Sequence, residues 1–164
     1  MFALSPKRSE SKDEILETLV AQALALLAGE RDATANAANL ASLIFHSLPE
    51  VNWAGFYWLK GGELVLGPFQ GKPACVRIAL GRGVCGTAAA ERRTIVVPDV
   101  DKFPGHIACD SASRSEIVVP VTKDGAVIGV LDLDSPSLAR FDEKHARALE
   151  RVVADFIQAT DFGS

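Results

Sequence analysis

Three cysteines, Cys75, Cys85 and Cys109, are the residues of this chain best suited to covalent chemistry. A thiolate is a good nucleophile, and it oxidises reversibly to a sulfenic acid that a second thiol can capture as a disulfide. No two of them stand in a Cys-x₂₋₄-Cys pair, so the pattern is not that of a structural zinc site. A mixed site using His106 and Cys109 is the weaker metal alternative. Context separates the three. Cys109 lies in the run Phe103-Pro104-Gly105-His106-Ile107-Ala108-Cys109-Asp110, inside a long irregular segment where active residues tend to sit. Cys85 opens a glycine-flanked helix start, where backbone N–H groups and the helix dipole can lower a thiol pKa. Cys75 begins a strand after Lys72-Pro73-Ala74. Each alone reads equally as a small buried hydrophobe. Together they suit a relay through a disulfide.

A second constellation is acidic. Asp132 and Asp134 stand two apart on one strand and so share a face. Whether Glu116 joins them depends on the hairpin around Lys123-Asp124-Gly125. A two-residue loop would pair Lys123 with Ala126 and set Glu116 opposite Leu133. A three-residue loop with Gly125 in the left-handed region would pair Thr122 with Ala126, Val118 with Val130 and Glu116 with Asp132. The second register is expected, because it places glycine where positive φ is needed. Three carboxylates on one apolar face repel, which raises at least one pKa and leaves a neutral acid able to donate a proton. The remaining negative charge can hold an ammonium group. A solvated sheet edge, or a Mg²⁺ or Ca²⁺ site on the Asp-x-Asp pair, is the competing reading. Trp53, Gly55, Tyr57 and Leu59 share one strand face and Phe56 and Trp58 the other, so Trp53 and Tyr57 can wall a pocket for a thioether methyl.

The elements that must carry these groups are legible in outline. Asp13–Leu27 and Ala33–Leu48 have helical apolar spacing, ended by Gly29 and Pro49. Strands are expected over Asn52–Leu59 and Glu63–Leu66, turned by Gly61-Gly62, with a loop over Pro68–Pro73. A strand over Cys75–Leu80, a helix over Gly83–Arg92 and a strand over Thr94–Val97 follow. Ser115–Thr122 and Ala126–Leu133 form the hairpin, and Asp142 caps a last amphipathic helix. The sum is an α+β architecture: residues 1–12 as a flexible leader and 13–164 as one domain.

Bulk composition narrows the function. At 164 residues, with 48% hydrophobic and 23% charged positions, the chain supports one well-filled core. Its net charge of -4 and scattered basic residues argue against nucleic acid. No apolar run approaches the length that spans a bilayer, and the N-terminus lacks a secretory h-region, so a cytoplasmic location is expected.

The runs Val51-Asn52-Trp53-Ala54-Gly55-Phe56-Tyr57, Gly67-Pro68-Phe69-Gln70-Gly71-Lys72-Pro73-Ala74-Cys75 and Gly81-Arg82-Gly83-Val84-Cys85-Gly86 resemble free methionine-R-sulfoxide reductases, enzymes built on a GAF domain. So do Val97-Pro98-Asp99-Val100, the run from Phe103 to Asp110, Ser115-Glu116-Ile117-Val118 and Leu131-Asp132-Leu133-Asp134-Ser135. The resemblance implies a GAF fold, with a mainly antiparallel sheet, N- and C-terminal helices on one face and a ligand pocket on the other. It implies reduction of free L-methionine-(R)-S-oxide with Cys109 as nucleophile. Cys75 and Cys85 become the disulfide-recycling thiols, Cys75 favoured as the principal one. Glu116, Asp132 and Asp134 become the carboxylates that bind substrate and assist protonation, and Trp53 and Tyr57 the pocket wall. It further implies no bound cofactor or metal, thioredoxin as reductant (drawing indirectly on NADPH through thioredoxin reductase), a homodimer, and a role in oxidative stress. The alternative is a non-enzymatic GAF module that senses a small ligand.

Overall fold

The computed structural model describes residues 10–163. Along the chain they form α1 (Lys12–Leu27), α2 (Ala33–Ser47), β1 (Trp53–Lys60), β2 (Glu63–Gly71), β3 (Arg77–Ala79) and α3 (Gly83–Glu91). Then come β4 (Ile95–Val97), a 3-10 turn (Val100–Lys102), β5 (Ser115–Lys123), β6 (Ala126–Ser135) and α4 (Glu143–Ala159). The strands make one six-stranded sheet in the order β3-β2-β1-β6-β5-β4, with every neighbouring pair antiparallel.

Residues 1–9 of the expected flexible leader lie outside the described residues. Its last positions belong to the fold: Ser11 caps α1 in a reciprocal box with Glu14, and Lys12 opens the helix. Lys12 pairs with Asp142, the N-cap of α4, and Asp13 with Lys144, so the starts of the first and last helices are joined.

The two sheet faces are buried against different partners. On one, α1, α2 and α4 bring Leu19, Leu40, Ile44, Leu149 and Phe156 onto Phe56, Ile117, Leu131 and Leu133, all fully buried. Burying one such side chain contributes roughly 1.5–3 kcal/mol, so this face decides which way each strand turns. On the other, α3 and the segments around it cover Leu64, Ile78, Val118 and Val130 together with Trp53 and Tyr57. The expected segregation of terminal helices to one face holds. Because Phe56 is locked into the helix-side core, its neighbours Trp53, Gly55 and Tyr57 must face the other way.

Two local expectations are corrected. The β5–β6 turn is the two-residue kind: Lys123 pairs with Ala126, and Asp124 and Gly125 take φ of 50° and 79°. That connection suits the twist of a hairpin. A bulge then shifts the register between Val121 and Thr122, with Thr122 opposite Val127 and Val121 opposite Gly129. The extra residue on β6 restores the parity that the tight turn would have cost, so Glu116 pairs with Asp134 and Val118 with Asp132. Glu116 therefore does share a face with both aspartates, though not through the loop assigned to it. Likewise, β2 does not end before Pro68. Its pairing with β1 slips between Gly55 and Tyr57, which places Pro68 at a bulge where its missing N–H costs no ladder bond, and the strand continues to Gly71.

Candidate active site

The register stacks the site in rows across the sheet. In one row Gly71, Trp53, Asp134, Glu116 and Val97 follow one another through β2, β1, β6, β5 and β4. In the next, Phe69, Gly55, Asp132 and Val118 do the same. Alternation along each strand turns both rows to the face covered by α3. Gly55 is required there: a Cβ on it would lie 2.3 Å from the Cβ of Phe69 and 2.8 Å from the Trp53 ring. Its absence lets Trp53 stack on Phe69 at 5.3 Å and on Tyr57 at 5.8 Å between ring centroids. The Trp53 and Tyr57 rings and the carboxylates floor a cavity.

Cys85 and Cys109 line that cavity, and Cys75 is bonded to Cys109 at its edge. Cys75, in the link from β2 to β3, is joined to Cys109, in the loop before β5, by a disulfide with 5.7 Å between Cα atoms. The aromatic wall ties down the Cys75 segment. The Trp53 indole N–H donates to the Lys72 carbonyl at 3.1 Å, and the Tyr57 hydroxyl donates to the Cys75 carbonyl at 3.0 Å. Asp110, next to Cys109, lies 3.8 Å from the Lys72 ammonium and accepts a 3.5 Å contact from the Asn52 amide, which also reaches Ser113. Because Cys109 is already bonded through its sulfur, the His106–Cys109 metal alternative has no free thiolate to use in this state.

Cys85 is different. It is free and only 3% exposed, on the first turn of α3, with its Sγ 3.9 Å from Glu116 Oε1. Its helix-start position suggested a lowered thiol pKa, but burial pushes it well above the ordinary value, and the nearby Asp132 and Glu116 push it the same way. Two dry carboxylates outweigh one helix terminus. The carboxylates behave alike. Glu116 is pushed well up by burial and then by Asp134; Asp132 by burial and then by Glu116; Asp134 by burial and then by Asp132. Burial also raises the Tyr57 phenol, which stays a donor. Among the described residues no lysine or arginine pairs with these three acids. Asp132 Oδ1 has no hydrogen-bond partner there, and His106 Nε2 stands 3.5 Å from Glu116 Oε2. The site is thus a dry acidic floor, whose groups keep their protons to higher pH than ordinary carboxyl groups, beneath a disulfide at its mouth.

A GAF domain model matches residues 11–160. The free methionine-R-sulfoxide reductase of Escherichia coli is 50% identical over 141 residues, 84% of this chain and 86% of the relative. That of Saccharomyces cerevisiae is 46% identical over 87% of this chain and 83% of the relative. The chain belongs to the GAF-domain family of free methionine-R-sulfoxide reductases. A further member, the Neisseria meningitidis reductase solved in complex with its substrate, is 46% identical, with a TM-score of 0.92 over 97% of this chain and 95% of that one.

The reductase fold brings together the residues singled out in the sequence: Trp53, Tyr57, Cys85, Cys109, Glu116, Asp132 and Asp134 line one cavity, and Cys75 joins them through its disulfide to Cys109. Three contributors escaped notice. His106 was weighed only as a metal ligand, yet it touches Glu116. Asn52 and Asp110 brace the Cys109 segment. Position beside a marked residue is the one sequence signal they carried, since each adjoins or lies near Trp53 or Cys109.

Proposed function

We propose that this protein reduces free L-methionine-(R)-S-oxide to L-methionine, with Cys109 as nucleophile. The observation that carries the reading is the Cys75–Cys109 disulfide closed at the mouth of a cavity floored by three carboxyl groups whose pKa values burial raises. The Cys109 thiolate attacks the sulfoxide sulfur while Glu116, held neutral by burial, gives a proton to the oxygen. The sulfur–oxygen bond breaks, methionine leaves, and Cys109 carries the oxygen as a sulfenic acid. The Cys75 thiol condenses with it, releasing water and forming the disulfide. Asp132 and Asp134 hold the substrate ammonium, a group that a methionine inside a protein lacks. Trp53 and Tyr57 hold the S-methyl end.

Cys85, deep beside Glu116, does not serve as principal resolving thiol. Thioredoxin reopens the disulfide by thiol exchange, drawing on NADPH through thioredoxin reductase. The setting is a reducing cytoplasm under oxidative stress, and the working form is a homodimer. The test is a thioredoxin-coupled assay that compares free R-sulfoxide, free S-sulfoxide and a peptide-bound sulfoxide. Thiol-dependent turnover of the free R epimer alone is expected. Equal turnover of the peptide, or no loss of titratable thiols on adding sulfoxide, would overturn the proposal and favour a ligand-sensing module.

A further inference from the structure

We propose that Cys85, Glu116 and Asp132, with His106 at their edge, form a binding site for Zn²⁺ on the floor of this cavity, an ion that the proposed reduction does not use. One potential ligand atom from each of the first three residues lies within 4.8 Å of the others, and all three residues are buried. Zinc takes thiolate sulfur at about 2.3 Å and carboxylate oxygen at about 2.0–2.2 Å, so tetrahedral ligands sit about 3.5 Å apart. The 3.9 Å between Cys85 Sγ and Glu116 Oε1 is close to that spacing. An independent sign that the floor awaits a cation is Asp132 Oδ1, on a residue only 6% exposed, which no donor satisfies. His106 Nε2 stands 3.5 Å from the second oxygen of Glu116 but outside that group of three, so the fourth position is filled by a water or by a movement of the His106 loop toward the ion. Sulfur, imidazole and carboxylate are a donor set that suits zinc and leaves Mg²⁺ and Ca²⁺ poorly served.

The site is built on rigid parts. Asp132 and Glu116 are held by the β6–β5 ladder, and Cys85 by the first turn of α3; His106 alone comes from a loop. Zinc binding expels the protons that these groups hold, so it tightens as pH rises. It also covers the acid that the proposed reduction needs, so the ion is an inhibitor. That inhibition rests on the proposed function, whereas the binding does not.

The disulfide form makes the experiment clean, because with Cys75 and Cys109 joined Cys85 is the only remaining thiol of the chain. Cobalt(II) is titrated into that form without added reductant, and the near-ultraviolet thiolate-to-cobalt absorption is followed. One cobalt per chain is expected, displaced by one equivalent of zinc. The band should vanish in Cys85→Ser. In Glu116→Gln and Asp132→Asn binding should weaken by at least about 10-fold, the lower end of what even an indirect partner of a metal ligand contributes. No band at saturating cobalt, a band that survives Cys85→Ser, or binding unaffected by both carboxylate variants would overturn the site. Free methionine should compete with cobalt. An intact cobalt band that methionine cannot displace counts against the placement of substrate on these carboxylates, and leaves the metal site standing.

Discussion

Replacing Glu116 by glutamine should make this protein more stable and nearly inactive, and the pH dependence of the gain identifies the cause. Glu116 is 5% exposed, and burial together with Asp134 holds its folded-state pKa well above the ordinary 4.5. Below that ordinary value both the folded and the unfolded chain keep the proton, and the residue favours neither. As pH rises past it, the unfolded chain releases the proton while the folded chain cannot, so Glu116 destabilises the fold increasingly until pH passes the raised value. Glutamine has nearly the same shape, keeps an acceptor toward Cys85, and has no charge to desolvate. Removing a buried functional strain of this kind stabilises by about 0.5–2 kcal/mol. In a chain of this size each kcal/mol moves Tm by about 2–4 °C, so Glu116→Gln should melt about 1–8 °C higher at pH 8. The difference should shrink toward zero near pH 4. Turnover of free methionine-R-sulfoxide should fall by about 10²–10⁴-fold, the usual contribution of a general acid. The assay is a set of thermal melts of the disulfide form from pH 4 to 8, with Glu17→Gln on the exposed side of α1 as the control. A variant less stable than wild type at pH 8, or a gain that is the same at pH 4, would refute the reasoning.

Cys109→Ser should lose thiol-dependent turnover entirely, as measured in the thioredoxin-coupled assay. Cys75→Ser should instead release one methionine per chain in a single burst and then stall, as seen by quenched-flow analysis of product. Gly55→Ala inserts a methyl where Phe69 and Trp53 already lie within 3 Å. It should cost about 1–3 kcal/mol by denaturant melts and raise KM through the displaced Trp53 ring more than it lowers kcat.

The sequence made the site's membership legible but not its construction. Alternation put Asp132 and Asp134 on one face without further information, and a run of aromatic and β-branched residues marked β1 as the strand opposite. Glu116 could be added only through the hairpin register, where the parity came out right by a different route. Asp124-Gly125 is a two-residue turn, and a bulge near Ile128 repays the slip. In Ala126-Val127-Ile128-Gly129 the glycine is the one residue ill suited to a regular strand, and it does not say which neighbour bulges. Pro68 misled for the converse reason, a residue that breaks regular ladders being seated at an irregularity that tolerates it. The Cys85 pKa could not be read locally at all. Its helix-start context is written within four residues, whereas the carboxylates that override it come from β5 and β6, more than thirty positions away.

That contrast bears on how the three thiols would divide the labour of the proposed reduction. A thiol that resolves a sulfenic acid must reach it, and the disulfide it leaves must be open to a protein reductant. Cys109 is exposed and Cys75 half-buried, with both at the mouth on segments that the Trp53 indole, the Tyr57 hydroxyl and Asp110 hold in place. Cys85 fails on both counts. It is sealed under α3, and its proton is retained by the same desolvation that keeps Glu116 protonated. One physical cause, a dry floor crowded with acids, thus supplies a neutral proton donor and disables the thiol beside it as a nucleophile. Opening the floor to water would lower both pKa values together. A variant that made Cys85 reactive toward a thiol-alkylating reagent at neutral pH should therefore also leave less Glu116 protonated, and the gain in alkylation and the loss of turnover should rise in step across a series of substitutions at Val84 and Ala88, which pack in the same layer.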